Sequence, residues 1–271
     1  MATRKSKHSR TEKADPTIAA GRLHDTIEDG YIFVFSDAHY WPGEASTAHR
    51  GLLKLAKELK PKIVVCNGDA FDGASISRHP RIGWDSAPSV IEELGAVRER
   101  LGEIEQTSKN AKLYWPIGNH DARFETYLAD KAPQFEGVNG FHLKDHFPKW
   151  TPCMSVWIND SLVIKHRLGG GTHASHGNAS KSGKSMVTGH LHSLKVSPVT
   201  DYNGTRFGVD TGTLAKPYDQ QFLYTEDNPV DWRSGFAVFK FIDGEMMWPQ
   251  LAAVRNEKRG EIEYCGNIYK V

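Results

Sequence analysis

Disulfides, membrane spans and net charge are all scarce in this chain, and each scarcity removes a class of protein. Cysteine occurs only three times, as Cys66, Cys153 and Cys265, at unrelated spacings. An odd, unpaired set argues against a disulfide framework and fits a reducing compartment. No stretch approaches the ~20 consecutive apolar residues that cross a bilayer. The basic residues at the start are not followed by the apolar core of a signal peptide. A cytoplasmic protein without a membrane partner is expected. Net charge is close to absent: 34 Lys and Arg against 33 Asp and Glu give +1 at pH 7. No global field therefore draws in nucleic acid or membrane. The uneven stretch is the N-terminus, where Arg4, Lys5, Lys7, Arg10 and Lys13 face the single acid Glu12. A flexible, solvated segment is the ordinary meaning of such a run, with a nucleic-acid-touching arm as the alternative.

What remains is a chain able to bury a large core. Its 271 residues are 39% hydrophobic and 25% charged, close to globular averages. One domain over residues 30–271 behind a flexible basic lead-in, residues 1–29, fits this length. The apolar runs Tyr31–Phe35, Ile63–Cys66 and Leu113–Trp115 read as buried strands. Between them, Leu52, Leu55, Ala56 and Leu59 repeat at helical spacing. A capping box, Ser89-x-x-Glu92, opens a second helix with Leu94, Val97, Leu101 and Ile104 on one face. Strand–helix–strand alternation predicts a parallel sheet. Further on, Asn159-Asp160, Asn203-Gly204 and Asp243-Gly244 lie between short apolar runs and predict hairpins. The expected fold is α/β, two mixed sheets face to face with helices outside. Gly169–Ser185 is rich in glycine, serine and lysine and reads as a loop.

Histidine is plentiful, with 13 copies, and it is the commonest metal ligand. Ligands of parallel sheets bind beyond the carboxyl ends of strands. The first strand is followed by Asp37-Ala-His39, the second by Gly68-Asp69-Ala-Phe-Asp72, and the third by Gly118-Asn119-His120-Asp121. The 162–165 strand runs into His166, and Met186-Val187 leads to Gly189-His190-Leu-His192. Taken singly, each is an ordinary turn or polar loop. Five such motifs, each at a strand end and each offering oxygen or imidazole nitrogen, point to a metal site. No thiol joins them, so soft-metal clusters are disfavoured. If His190 and His192 lie in extended chain, both face the same way while Leu191 packs behind.

These motifs, D-x-H, GD-x-x-D, GNHD, H and GH-x-H, resemble those of the calcineurin-like metallophosphoesterases over roughly residues 31 to 250. The chain is also similar to phosphoesterases of bacteriophages, which implies a phage-encoded protein in host cytoplasm. The resemblance implies two divalent ions, foremost Mn²⁺, with Fe, Zn²⁺ or Ni²⁺ as alternatives. It assigns Asp37, His39 and His192 to one ion and Asn119, His166 and His190 to the other, with Asp69 bridging. Two such ions acidify a shared water, so a bridging hydroxide can attack phosphorus. His120 lies beside a ligand without being assigned as one and is the candidate general acid, oriented by Asp72. Asp121 is expected to cap the helix that follows.

The pattern departs from the Ser/Thr phosphatases of the same superfamily. Gly73 and Ile117 stand where those enzymes carry phosphate-binding arginines, and Asp121 replaces a glutamate. Arg78, His79 and Arg123 are the remaining candidates for phosphate contact. His173 and His176 compete with His166 for the second ion, or line the substrate cleft. The expected function is hydrolysis of a phosphodiester or phosphomonoester. A DNA or RNA nuclease is the alternative, and a non-catalytic scaffold is a third. The basic tail favours nucleic acid; the absence of a basic stripe or an aromatic-rich loop disfavours it.

Overall fold

A computed structural model describes residues 21–80 and 86–271. The basic cluster from Arg4 to Lys13 lies outside the described residues. In chain order come β1 (Arg22–Asp25), β2 (Gly30–Phe35), α1 (Thr47–Leu59), β3 (Ile63–Cys66), α2 (Val90–Thr107) and β4 (Lys112–Pro116). Then follow α3 (Asp121–Lys131), β5 (Thr151–Cys153), β6 (Ser155–Ile158), β7 (Leu162–Ile164), α4 (Ala174–Ser182) and β8 (Ser185–Thr188). The chain closes with β9 (Leu194–Asp201), β10 (Gly204–Thr211), β11 (Gly235–Ile242), β12 (Glu245–Met246), β13 (Gln250–Asn256), β14 (Glu261–Tyr264) and β15 (Asn267–Lys270).

The strands form two sheets. One has nine strands, ordered β15-β14-β13-β11-β2-β3-β4-β5 with β12 paired to β11; the other has six, ordered β1-β6-β7-β8-β10-β9. In β2, Ile32 and Val34 meet Val156, Ile164, Val187 and Val209 of the six-stranded sheet. The alternate residues Phe33 and Phe35 meet Leu52, Leu55, Val97 and Leu101 of α1 and α2. The period of two along the strand thus buries both faces, one in a sheet–sheet core and one under helices. On the far side, Ala179 of α4 packs against Val163, Met186 and Val199. The result is a sandwich of two mixed sheets flanked by helices.

Local signals account for the helix ends. Ser46 Oγ accepts from His49 N–H at 3.1 Å to start α1, and Lys60 in left-handed conformation ends it before Pro61. Ser89 N–H donates to the Glu92 carboxylate at 2.8 Å, closing the capping box of α2. Asn159 and Asp160 both take positive φ, 48° and 51°, in the β6–β7 turn, which Ser161 N–H closes onto Ile158 O at 3.0 Å.

The structure differs from expectation in two places. Residues 22–25, expected within the lead-in, form β1, parallel to β6. Residues 174–182, expected as loop, form α4. A Cβ at Gly208 of β10 would lie 1.7 Å from Ser175 O, so only glycine lets this short helix sit down on the sheet. Among the described residues no helix is long and apolar enough to cross a membrane.

Candidate metal centre

The five motifs meet at one rim, beyond the ends of β2, β3 and β4 of one sheet and β7 and β8 of the other. Their backbone is unusual. Asp37, His39, Asp69, His190 and His192 all have positive φ, between 40° and 70°. Left-handed backbone is uncommon outside glycine, costs ~1–3 kcal/mol per residue, and clusters at functional sites. The stretch from Gly189 to Ser193 is therefore bent, not extended. His190 and His192 converge through left-handed turns, which corrects the expectation of a strand-like pair. Close approach matters equally. A Cβ at Gly118 would fall 2.1 Å from Asp69 Oδ1, and one at Gly189 would fall 2.6 Å from Asp37 Oδ2.

Three groups of potential ligand atoms result, each lying within 4.8 Å of one another: Asp37, His39 and His192; His39, Asp69 and His120; Asp69, His166 and His190. Asp37, His39, Asp69, His166 and His192 are buried. Asp37 Oδ2 is occupied, accepting from Ser36 Oγ and from His190 N–H at 2.8 Å. Asp37 Oδ1 has no hydrogen-bond partner, although His192 Nε2 is 3.3 Å away. His39 donates from Nδ1 to Asp72 at 3.2 Å, and its Nε2 is buried without a partner. His192 Nδ1 is likewise unpartnered. Buried polar atoms without partners are costly and rare; a divalent cation against Asp37 Oδ1 and His39 Nε2 satisfies both. The donor set, carboxylate and imidazole with no thiol, suits such a cation.

On the other side, Asp69 Oδ2 stands 3.1 Å from His166 Nε2, which is 3.2 Å from Asn119 Oδ1. His166 Nδ1 faces Asn67 O at 2.8 Å, fixing the ring and leaving Nε2 toward the group. Burial alone would lower His166, but the Asp69 carboxylate outweighs it and pushes it up to about 10. Burial would raise Asp69; His166, His120 and His39 instead hold it far below the usual carboxylate range.

Behind these residues stands a layer of acids. Asp72 Oδ1 lies 2.6 Å from His120 Nδ1, and Asp72 Oδ2 accepts from Trp41 Nε1 at 3.0 Å. Burial would lower His120, yet the bond to Asp72 and the Asp69 charge hold it above its ordinary value. Asp121 does not cap α3 as expected: it is that helix's first residue, the cap position is His120, and the Asp121 carboxylate turns back to other loops. It accepts from Asp69 N–H at 2.8 Å, Phe71 N–H at 3.0 Å, Gly118 N–H at 2.9 Å and Trp115 Nε1 at 2.9 Å. It staples the second motif loop to the third. Glu93 of α2, which no motif marks, accepts from Gly73 N–H at 2.9 Å and Ala74 N–H at 3.1 Å. Burial and the nearby Asp72 charge push it up to about 8.

Of the five candidates for substrate contact, only Arg123 reaches the centre. Its guanidinium donates to Asp72 O at 2.9 Å and lies 3.2 Å from His120 Nε2. Arg78 and His79 are exposed beyond the turn Ala74–Ile76. His173 and His176 are exposed at the N-cap and in the first turn of α4, and neither joins the metal-compatible groups. The ordering helix, not a glycine-rich loop, sets their place.

An aromatic wall also borders the centre. Phe222 lies 5.3 Å from His39 and 5.5 Å from His192, and Trp232 lies 4.4 Å from His192, measured between ring centroids. Tyr224 packs on both, at 6.3 Å and 6.2 Å. Tyr218, Phe222, Tyr224 and Trp232 fall within 15 residues of sequence. This aromatic-rich segment corrects the expectation that the chain has none, and local aromatic density is its signal in the sequence.

None of the curated proteins matches the chain. Among solved structures it is similar to a single mutant of Vps29 from Entamoeba histolytica, at 13% identity and TM-score 0.45, covering 89% of this chain and 99% of that one. The wild-type Vps29 complexed with Zn²⁺ matches with the same identity and TM-score, over 88% and 98%. A dimetal phosphatase from Danio rerio matches at 12% identity and TM-score 0.42, over 84% and 96%. Residues 30–223 match the Metallophos family model, calcineurin-like phosphoesterase, a span that contains every motif of the rim; the chain belongs to the calcineurin-like phosphoesterase family.

Proposed function

We propose that this chain is a binuclear metal-dependent phosphoester hydrolase. The observation that carries it is the pair of buried, unpartnered ligand atoms, Asp37 Oδ1 and His39 Nε2, beside a second group of imidazole and carboxylate donors. In this assignment Asp37, His39 and His192 hold one divalent ion, and Asn119, His166 and His190 hold the other. Asp69, which groups with His39 on one side and with His166 and His190 on the other, would serve both ions, since two like charges held close together need an anion between them. When bound, such a pair supplies Lewis acidity and an activated water.

The chain's own residues then have distinct tasks. His120 gives its proton from Nε2 to the leaving oxygen, because Nδ1 is engaged by Asp72. Asp72 holds both His120 and His39 in orientation and stabilises the charged imidazole. Arg123, now against His120 Nε2, turns to the phosphoryl oxygens and frees that nitrogen for its proton. An intact His120–Asp72 pair supports an enzyme over a scaffold, which has no use for a buried proton donor.

Metal removal tests the assignment. Protein stripped by a strong chelator should lose hydrolysis of phosphate esters, and Mn²⁺ should restore it, with Zn²⁺, Fe and Ni²⁺ tried alongside. Full activity after verified metal removal overturns it.

A further inference from the structure

The segment between β10 and β11 folds against the metal centre, and its aromatic residues differ in exposure. Phe222 is 2% exposed and packs edge-on against His39 and His192. Sealing the centre from water explains it. That explanation does not extend to Tyr224, which is 53% exposed although it contacts Phe222 and Trp232. Its ring stays half open beside the centre, close enough that the charges of Asp72, Asp37 and Asp69 add to burial in pushing its hydroxyl up to about 12. Trp232 continues this surface, half-buried against His192.

Cations flank the same place on two sides. Arg123 stands beside His120. Arg167 is exposed and directly follows His166 in the chain. A third cation, Lys216, lines a cleft of about 310 Å³ that runs from His39 past Trp41. Positive charge on both sides of a catalytic metal suits an ester that continues on both sides of the phosphorus. Open aromatic faces suit a planar group attached to it. An unpaired nucleobase has two such faces and stacks whatever its identity.

Building on the hydrolase function proposed above, we propose that Tyr224 and Trp232 form a stacking platform for an unpaired nucleobase, so that the substrate is a nucleotidyl phosphodiester. Phe222 seals the centre beneath the platform. Arg123 and Arg167 take the phosphate and its continuation.

Two nitrophenyl esters isolate the effect: that of thymidine 5′-phosphate and that of methyl phosphate, which share a leaving group. The readout is the ratio of their kcat/KM values, in which any damage to the metals cancels. The native chain should prefer the nucleoside ester by about 5- to 150-fold, the range for one stacked base. Tyr224→Ala and Trp232→Ala should each bring the ratio toward one, while Trp232→Phe keeps most of it. A second readout needs no turnover. Binding of a phosphorothioate oligothymidylate to chelator-treated protein should quench tryptophan fluorescence, and should weaken in both alanine variants. A chain that binds this strand yet hydrolyses neither ester breaks the hydrolase assignment alone. One that hydrolyses both esters equally, or keeps its preference in both alanine variants, breaks the platform alone. Cyclic mononucleotide and single-stranded DNA then separate the two sources of such a base. Duplex DNA cut as fast as the single strand also overturns the platform, because its bases are not free to stack.

Discussion

The two sheets supply different chemistry to the rim. The loops after β2, β3 and β4 of the nine-stranded sheet bring Asp37, Asp69 and Asp72, together with His39, Asn119 and His120. The loops after β7 and β8 of the six-stranded sheet bring His166, His190 and His192 alone. All the carboxylate donors therefore come from one layer, and the opposite layer swings in imidazole nitrogens. The anionic layer is also the one that is cross-braced. Asp121 ties the second loop to the third, and Glu93 ties the second to α2. Charge sits where the backbone is held most firmly, which suits the proposed pair of cations.

This contrast can be broken experimentally. Asp69→Ala should be the most damaging change, because it leaves both cations without their shared anion. A loss of about 10³-fold or more in turnover is expected, several kcal/mol at 1.36 kcal/mol per decade. Two tightly held metals in that variant, by elemental analysis, would remove Asp69 from the bridge. From the six-stranded layer, His166→Ala should lose one of the two sites while His173→Ala keeps both; the reverse result would place α4 in the centre.

His120→Ala should keep its metals and lose ~10²–10⁴-fold on an alkyl phosphodiester. The loss should be much smaller on a nitrophenyl ester, whose leaving group departs without a proton. Equal losses on both would show that His120 positions rather than protonates. Asp72→Asn, which keeps the shape but weakens the hold on His39 and His120, should cost about 10–100-fold in metal affinity or rate.

The smallest expected effect lies in the bracing itself. Glu93 is pushed up to about 8 from 4.5, so the folded chain favours its neutral form. Its contribution to stability is complete below pH 4.5 and is lost as pH rises through about 8. Glu93→Gln does not titrate. The melting-temperature advantage of the native chain over this variant should therefore shrink with rising pH across that window, by about 2–4 °C for each kcal/mol lost. A difference that is flat with pH would show that Glu93 is ionised throughout.

Much of this arrangement could be read from sequence, for reasons that are local. Tyr31–Phe35 and Ile63–Cys66 are apolar without interruption because both of their faces are buried. Ser89 and Glu92 announce the start of α2 without help from the rest of the fold. The motifs stood out because each follows a strand directly. What escaped notice depends on distant partners. β1, Arg-Leu-His-Asp, has no apolar run because it is an edge strand held by β6. α4 has few large apolar residues because glycine at position 208 brings it close enough to need none. The buried acid Glu93 occupies a position in α2 that looks like ordinary surface charge. The left-handed turns at His190 and His192 leave no mark on a residue pattern, since histidine sits far more often in ordinary backbone regions.

Those left-handed turns bear on protein engineering. A designer wishing to build this centre elsewhere would naturally copy the ligand side chains onto a regular β framework. Asp37, His39, Asp69, His190 and His192 would then start from the wrong side of the Ramachandran plot, with their side-chain vectors aimed away from one another. Gly118 and Gly189 would gain Cβ atoms where carboxylate oxygens must pass. The smallest graftable unit is thus the whole set of rim loops with their glycines and their acid braces.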